Sequence, residues 1–322
     1  MRPIITIFES IHADGIDFLN EFADVRIAIG ADRHKCLRMT ALSDAIIVKS
    51  VIRVDKDLID SSPNLRIIGR AGTGVDNIDI TYAQNKGIKV FTVPKGNSVS
   101  AAEFTILQIL SLCRRVSEVN RFVNNNDFRR YLLEGRELQN MSIGIVGLGN
   151  VGTLVTERLK AFGCKIIGYD PYQKNNKKFA SQGGILTESF DELICQVDIL
   201  TFHARLTSDS YHMMGHKQFK KVKKGLMIIN CARAELIDQE ALLDSLDKGV
   251  ISSASLDVLE PEPPFDLKPE EHSYQNDLLN HPKVIVTPHI GASTIEAQKN
   301  ISIDLAKQIK FFLTSKHDAA QE

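Results

Sequence analysis

The stretch "GIVGLGNVGTLVTERLKAFGCKIIGYD", Gly144 to Asp170, decides how this chain folds. It opens on an apolar β-rich run and passes through Gly147-Leu148-Gly149-Asn150-Val151-Gly152. A helical apolar period follows, and then a second β-rich run that ends at Asp170. Strand, glycine turn, helix and strand in that order form a dinucleotide-binding unit. Gly147 allows the tight turn, Gly149 lets backbone approach a diphosphate, and Gly152 lets the helix lie close on the sheet. The diphosphate would lie against amides at the helix start, where Asn150 and Val151 stand. Asp170 can accept hydrogen bonds from ribose hydroxyls and repels a 2′-phosphate, which favours NAD over NADP. Glycines serving only a turn are the alternative. No Gly-Lys-Ser/Thr follows them, so a phosphate loop of the Walker type is excluded.

Outward from this unit the pattern repeats. Further strands are expected at "DILTF" (198–202), "GLMIIN" (225–230), "SASLDV" (253–258) and "VIVT" (284–287). Upstream, "IITIF", "VRIAI", "AIIVK", "LRIIG" and "IKVFTV" alternate with helix-like stretches such as 12–20 and 76–86. Such alternation argues for βα units around parallel sheets. The fold class is therefore α/β, with two doubly wound units and a boundary near residues 95 to 100. A long helix begins near Ser100, read as an N-cap with Glu103 three residues on. The segment from about Ile295 to Phe312 is a last amphipathic helix, followed by a polar tail that includes His317.

A chain of 322 residues suits two domains of roughly 150 residues each. With 39 Lys+Arg against 40 Asp+Glu and no basic block, nucleic acid is not an expected partner. The five cysteines are odd in number and widely spaced, which fits buried thiols in a reducing compartment better than a disulfide framework. No zinc-like spacing appears, and no metal is expected. The N-terminus is too soon interrupted by Glu9 to be a signal peptide, and no run approaches the roughly 20 apolar residues of a membrane span. A cytoplasmic protein without membrane partners is expected.

A dinucleotide moves a hydride, so the protein must supply a proton donor or acceptor and a clamp for the substrate. Open α/β sheets place such groups beyond the carboxyl ends of their strands. Arg233 lies beyond "GLMIINCA", Asp257 ends "SASLDV" with Glu262 shortly after, and His289 follows "VIVTP". Arg233 can hold a carboxylate with a bidentate fork. The imidazole of His289 can exchange a proton near neutral pH, with Glu262 on its far ring nitrogen to fix the tautomer. Taken singly, each has a bland alternative: Arg233 a surface salt bridge, Glu262 a solvated acid and His289 a turn histidine. His203 and Arg205, in the loop after "DILTF", border the cofactor or are solvated. Gly72, Thr73 and Gly74 end a strand with amides suited to an anion.

These residues resemble the D-isomer-specific 2-hydroxyacid dehydrogenase family, and within it the phosphoglycerate dehydrogenase branch. The resemblance runs through "GRAGTGVDNID", "GNSVSAAE", "GIVGLGNVG", "GYDP", "NCARAELID", "LDVLEPEPP" and "TPHIGASTIEAQ". It implies a flavodoxin-like substrate domain from residues 1–98 and 288–322, an NAD-binding Rossmann domain from 99–287, and an active site in the cleft. It also implies that the last helix returns to the N-terminal domain, and that a homodimer forms through the NAD-binding domains by the "SAAEFTILQIL" helix and the 118–140 segment. Residue by residue, Arg233 matches the carboxylate-binding arginine, Glu262 the histidine-orienting acid and His289 the acid/base. Asp257 matches a carboxylate near the nicotinamide amide, with Ala204, Cys231 and Gly291 completing the cofactor set. Lys49, the amide near Ser50, Asn97 and Gln298 join Gly72, Thr73 and Gly74 as substrate contacts. The chain has no room for the regulatory domain of longer relatives, so no serine-binding control is implied.

The implied activity is NAD-dependent interconversion of a D-2-hydroxy acid and its 2-keto acid, with D-3-phosphoglycerate, a substrate of serine biosynthesis, as first choice. A reductase for glyoxylate, hydroxypyruvate or another short 2-keto acid is the alternative. An NAD-sensing, corepressor-like module is the non-enzyme reading. Three departures bear on the substrate. Lys49-Ser50 stands where Arg-Ser is common, Arg205 stands where Pro is usual, and Ala234-Glu235 replaces Gly-Gly. If the first of these last two positions needs φ > 0, Ala strains the loop by roughly 1 kcal/mol.

Overall fold

The computed structural model describes residues 2–265 and 267–315, so the polar tail from residue 316 on, with His317, lies outside the described residues. By contacts the chain divides into two units, residues 1–98 with 293–322 and residues 99–292.

The first unit is a five-stranded parallel sheet of β1 (Ile4–Ile7), β2 (Asp24–Ile27), β3 (Ala45–Val48), β4 (Ile67–Arg70) and β5 (Lys89–Phe91), in the order β2-β1-β3-β4-β5. Successive side chains on a strand face opposite ways, and both faces are apolar here. Ile5, Ile7, Ala45, Ile47 and Ile67 enter one core, while Ile46, Val48 and Ile68 enter the other. The last helix, Ile295–Ser315, covers the first of these cores with Ile301, Leu305 and Ile309. Two glycines let it approach. A Cβ at Gly15 would lie 2.6 Å from Ser302 Cβ, and one at Gly69 would lie 3.2 Å from Ile309 Cδ1.

The second unit is a seven-stranded parallel sheet of β6 (Ser142–Val146), β7 (Lys165–Tyr169), β8 (Ile185–Leu186), β9 (Ile199–Phe202), β10 (Leu226–Asn230), β11 (Ile251–Leu256) and β12 (Val284–Val286). Its order is β12-β11-β10-β9-β6-β7-β8. The direction of winding reverses between β6 and β9, and that reversal point is where open α/β sheets bind ligands. Strand β8 was not anticipated; two edge residues carry too little pattern to read.

Two expectations need correction. Residues 288–292, assigned to the substrate domain, belong with the second unit, because Ile290 N and Gly291 N donate to the Asp257 carboxylate at 2.9 and 2.8 Å. The long helix begins at Ser98, not after an N-cap at Ser100. Its entry is built one turn earlier, where Ser98 Oγ donates to the Pro94 carbonyl oxygen at 3.2 Å, and Ser100 is already buried inside the helix. No helix among the described residues is long and apolar enough to cross a membrane.

Leu305 is fully buried where the last helix meets the sheet. Leu305→Ala should destabilise the first unit by about 2–5 kcal/mol, read as a lower denaturant midpoint in urea titration.

Candidate active site

The glycine turn leaves β6 at its carboxyl end, at the reversal point of the sheet. Gly147 has φ +88, and a Cβ on it would lie 2.7 Å from His203 O and Ala204 N, so the loop after β9 closes on its backbone. A Cβ on Gly152 would lie 2.1 Å from Gly147 O, so the third glycine is required by the turn itself as well as by packing on Ile145. Gly149 differs: nothing lies within 4 Å of its Cβ position. The helix Asn150–Lys160 starts there with no side chain capping it. Open space above the helix start, with glycine at its rim, fits a dinucleotide diphosphate.

Asp170 follows β7, and its carboxylate is engaged by the chain itself. Its Oδ2 accepts Leu148 N at 2.9 Å and Gln173 Nε2 at 3.2 Å, while Oδ1 accepts Tyr172 N at 2.9 Å. It thereby ties the second strand of the motif to the glycine turn. Beyond β9, Thr201 Oγ1 lies 3.1 Å from His203 Nε2, and burial pushes the His203 imidazole down to about 3. His203 is thus neutral at pH 7. Ala204 is half-buried, whereas Arg205 is exposed. Burial, reinforced by the charge of Asp257, pushes the Cys231 thiol up.

Strands β10, β11 and β12 are neighbours, and their carboxyl ends carry Arg233, Asp257 and His289 respectively. Parallel register aligns Asn230 with Leu256 and Leu256 with Val286, so the three exits leave the sheet side by side. Buried Asn230 shapes the first exit, accepting Ala232 N at 3.0 Å through Oδ1 and donating through Nδ2 to Arg233 O at 2.8 Å. Arg233 Nη1 donates to the Ala232 carbonyl oxygen at 2.7 Å. Ala234 and Glu235 open a short 3-10 turn and neither has positive φ, so the strain expected at Ala234 does not arise.

Asp257 shapes the third exit. It is 1% exposed, and its carboxylate accepts Thr287 Oγ1 at 2.6 Å, Ile290 N at 2.9 Å and Gly291 N at 2.8 Å. Desolvation pushes its pKa up, against these donors. The turn so formed holds His289 at φ +54, a left-handed conformation uncommon outside glycine. The His289 ring meets Glu262, Nδ1 to Oε1 at 2.8 Å, and Phe265 edge-on at a centroid distance of 6.0 Å. Tyr274 Oη, donating to Pro261 O at 2.7 Å, and Gln239 Nε2, donating to Glu260 O at 3.0 Å, anchor the loop that carries Glu262. A carboxylate only accepts, so Nδ1 carries a hydrogen and Nε2 is the atom left to exchange one.

In the first unit, Lys49 Nζ donates to Gln298 Oε1 at 2.7 Å, and Thr73 Oγ1 donates to Asn97 Oδ1 at 3.2 Å. Gly72 and Gly74 lie in the loop after β4. The amide at Ser50 is not open to a substrate, because it already donates to Glu9 Oε2 at 3.1 Å.

A model of the D-isomer specific 2-hydroxyacid dehydrogenase NAD binding domain matches residues 106–291. A D-3-phosphoglycerate dehydrogenase of Methanocaldococcus jannaschii is 39% identical over 307 residues, covering 95% of this chain and 56% of that protein. One from Bacillus subtilis is 39% identical over 269 residues, covering 84% and 49%. The chain belongs to the D-isomer-specific 2-hydroxyacid dehydrogenase family. It spans about half the length of these curated relatives. Among solved structures, D-lactate dehydrogenase from Aquifex aeolicus, complexed with NAD and lactic acid, superposes with a TM-score of 0.86 at 26% identity over 98% of this chain and 96% of that one. The glycine turn, Asp170 and the neighbouring loops are accordingly parts of this family's NAD-binding domain.

Several residues went unread in the sequence. Asn230 ends an apolar strand with a lone amide, and that is its signal in the sequence. Arg70 places its guanidinium against Gly72, where a Cβ would lie 1.5 Å from Nη1. Glu9, which accepts the Ser50 amide, and Asn77, which donates to Lys49 O and Ile52 O, have no local signal in the sequence.

Gly149→Val fills space that the fold leaves open. Its thermal midpoint should stay at the wild-type value while the Kd for NADH, read by fluorescence titration, rises about tenfold or more. His203 supplies a pH test. Its folded pKa lies near 3 against an ordinary 6.5, so below pH 6.5 the unfolded chain takes up a proton that the folded one refuses. Stability should therefore fall as pH drops from 6.5 toward 3. His203→Asn should flatten that limb in urea midpoints compared at pH 7 and pH 5.

Proposed function

We propose that the chain is an NAD-dependent oxidoreductase that interconverts a D-2-hydroxy acid and its 2-keto acid, with D-3-phosphoglycerate and 3-phosphohydroxypyruvate as the substrate pair. The observation that carries the reading is the 2.8 Å bond from His289 Nδ1 to Glu262, made beside the strand end that presents Arg233. It supplies an oriented acid/base next to a carboxylate-binding cation.

In the oxidation direction Arg233 holds the substrate carboxylate with its guanidinium, and its charge draws electron density from the adjacent C2 oxygen. His289 Nε2 takes the hydroxyl proton, and Glu262 stabilises the resulting imidazolium through Nδ1. In reduction, His289 returns that proton to the C2 oxygen. Bound NAD supplies the two-electron acceptor for C2, and its reduced form supplies the donor. The glycine turn, Asn150, Val151 and Asp170 hold the cofactor; His203, Ala204, Arg205, Cys231, Asp257 and Gly291 border it. Lys49, Gln298, Thr73, Asn97 and the Gly72 and Gly74 loop contact the substrate, Lys49 taking its distal anion.

The identity of the phosphoglycerate dehydrogenases supports a distal phosphate. The likeness to a D-lactate dehydrogenase, and Lys49 in place of a planar fork, favour the second reading, a reductase of short 2-keto acids. A homodimer through the second unit is supported by the exposed apolar side chains Leu107, Phe128 and Tyr131, at 55%, 70% and 66%.

His289→Ala should lower kcat by about 10²- to 10⁴-fold with the Kd for NADH unchanged. Steady-state kcat/KM for 3-phosphohydroxypyruvate should exceed that for hydroxypyruvate, glyoxylate and pyruvate by about tenfold or more. Parity or reversal transfers the assignment to the short-acid reductase. Loss of all turnover with NADH binding intact points to an NAD-sensing module.

A further inference from the structure

The turn after β3 carries an arrangement that the proposed chemistry does not explain. Glu9 stands just beyond β1, and its carboxylate receives four consecutive backbone amides. Lys49 N and Ile52 N donate to Oε1 at 2.7 and 3.1 Å, and Ser50 N and Val51 N donate to Oε2 at 3.1 and 3.0 Å. Two donors on each oxygen fill the four lone-pair sites of a carboxylate. The acceptor side of the same turn is held as well. Asn77 Nδ2 donates to Lys49 O at 3.1 Å and to Ile52 O at 2.7 Å.

Solvent accounts for none of this. Ser50 and Val51 are exposed, and water would satisfy their amides without help. Four convergent amides instead form the kind of concavity that binds an anion, and here the anion is built into the chain. A substrate carboxylate or phosphate therefore cannot lodge on these amides. The side chain that the turn presents is Lys49, whose Nζ is aimed at Gln298 on the last helix. A lysine has a flexible stem, so the place at which it holds a charge depends on how firmly its own backbone is fixed.

We propose that Glu9 is a positioning residue: its carboxylate occupies the amide concavity of the 49–52 turn, keeps the substrate's anions out of it, and fixes Lys49 as the group that receives the substrate's distal anion. This rests on the reading above that the substrate carries such an anion. Asn77 holds the other side of the turn in register. Loss of the Glu9 carboxylate would do two things together: loosen Lys49 and open an anion site that a small carboxylate can fill.

Glu9→Ala and Glu9→Gln in the full chain test this, with sodium formate as the probe and sodium chloride at matched ionic strength as control. Glu9→Ala should raise KM for 3-phosphohydroxypyruvate about tenfold or more, with kcat and the Kd for NADH within about twofold of wild type. Formate should restore KM toward wild type and raise the thermal midpoint of Glu9→Ala, with no effect on the wild type. Glu9→Gln, which keeps one acceptor oxygen, should fall between the two. An unchanged KM overturns the proposal, as does a raised KM that formate leaves untouched. If the wild type turns over no phosphorylated acid, the substrate reading fails on its own. The formate-dependent midpoint of Glu9→Ala then upholds the Glu9 site, and its absence overturns it.

Discussion

Asp257 sits at the end of β11, almost fully out of water. A carboxylate there costs several kcal/mol unless its lone pairs are filled. Its donors Thr287 Oγ1, Ile290 N and Gly291 N all lie in the turn that leaves the neighbouring strand β12. The need to satisfy one buried acid thus fixes the path of that turn. Between the donors, His289 is forced to φ +54. A left-handed conformation costs a non-glycine residue roughly 1–2 kcal/mol, while hydrogen bonds to a charged group contribute roughly 1.5–3 kcal/mol each. The bonds outweigh the strain, and the ring is delivered to Glu262. Without Asp257 the histidine would still follow the strand, but its backbone would not be turned toward Glu262.

The parts of this arrangement that were legible in the sequence are those with a local signature. β-branched runs separated by amphipathic segments marked the strands, and the spacing of Gly147, Gly149 and Gly152 marked the tight turn between β6 and the helix that follows. Arg233, Glu262 and His289 could be placed near one another because strand ends in an open parallel sheet share one edge. What stayed hidden depends on partners distant along the chain. Nothing near Glu9 announces that it will meet the amides of residues 49–52. Nothing in "SASLDV" announces that Asp257 will bend a turn thirty residues later. Ser100 misled because a Ser with Glu three residues on has the form of a capping box wherever it occurs. The turn at 94–98, which starts the helix earlier, has no such form. At Ala234 the sequence leaves the sign of φ open, and with it the strain; the loop accommodates the residue in a 3-10 turn without positive φ.

The two units also share a division of labour between their strand ends. In the first, Asp44 immediately precedes β3 and accepts Ile4 N, the first amide of β1, at 2.8 Å. In the second, Asp198 immediately precedes β9 and accepts Ser142 N, the first amide of β6, at 2.8 Å, with Ser142 Oγ at 2.7 Å. Both acids sit where the winding of the sheet reverses, between β1 and β3 or between β6 and β9. The two sheets are thus pinned at their amino ends by the same contact, at the one place in each where neighbouring strands are not consecutive in the chain.

Pinning one end leaves the other free to be shaped by what leaves it. At the carboxyl ends, acids again accept amides, but each does so on a different turn: Glu9 on residues 49–52, Asp170 on Leu148 and Tyr172, and Asp257 on Ile290 and Gly291. An exposed turn ordered only by water would lose its backbone freedom when a ligand bound, at roughly 1–2 kcal/mol per residue. A turn already fixed by an internal carboxylate has met that cost during folding, when the sheet core forms. The residues that such turns present, Lys49 in one unit and His289 in the other, are therefore held in place before any ligand arrives. That is a reason for the chain to keep acids at positions where no substrate needs a negative charge.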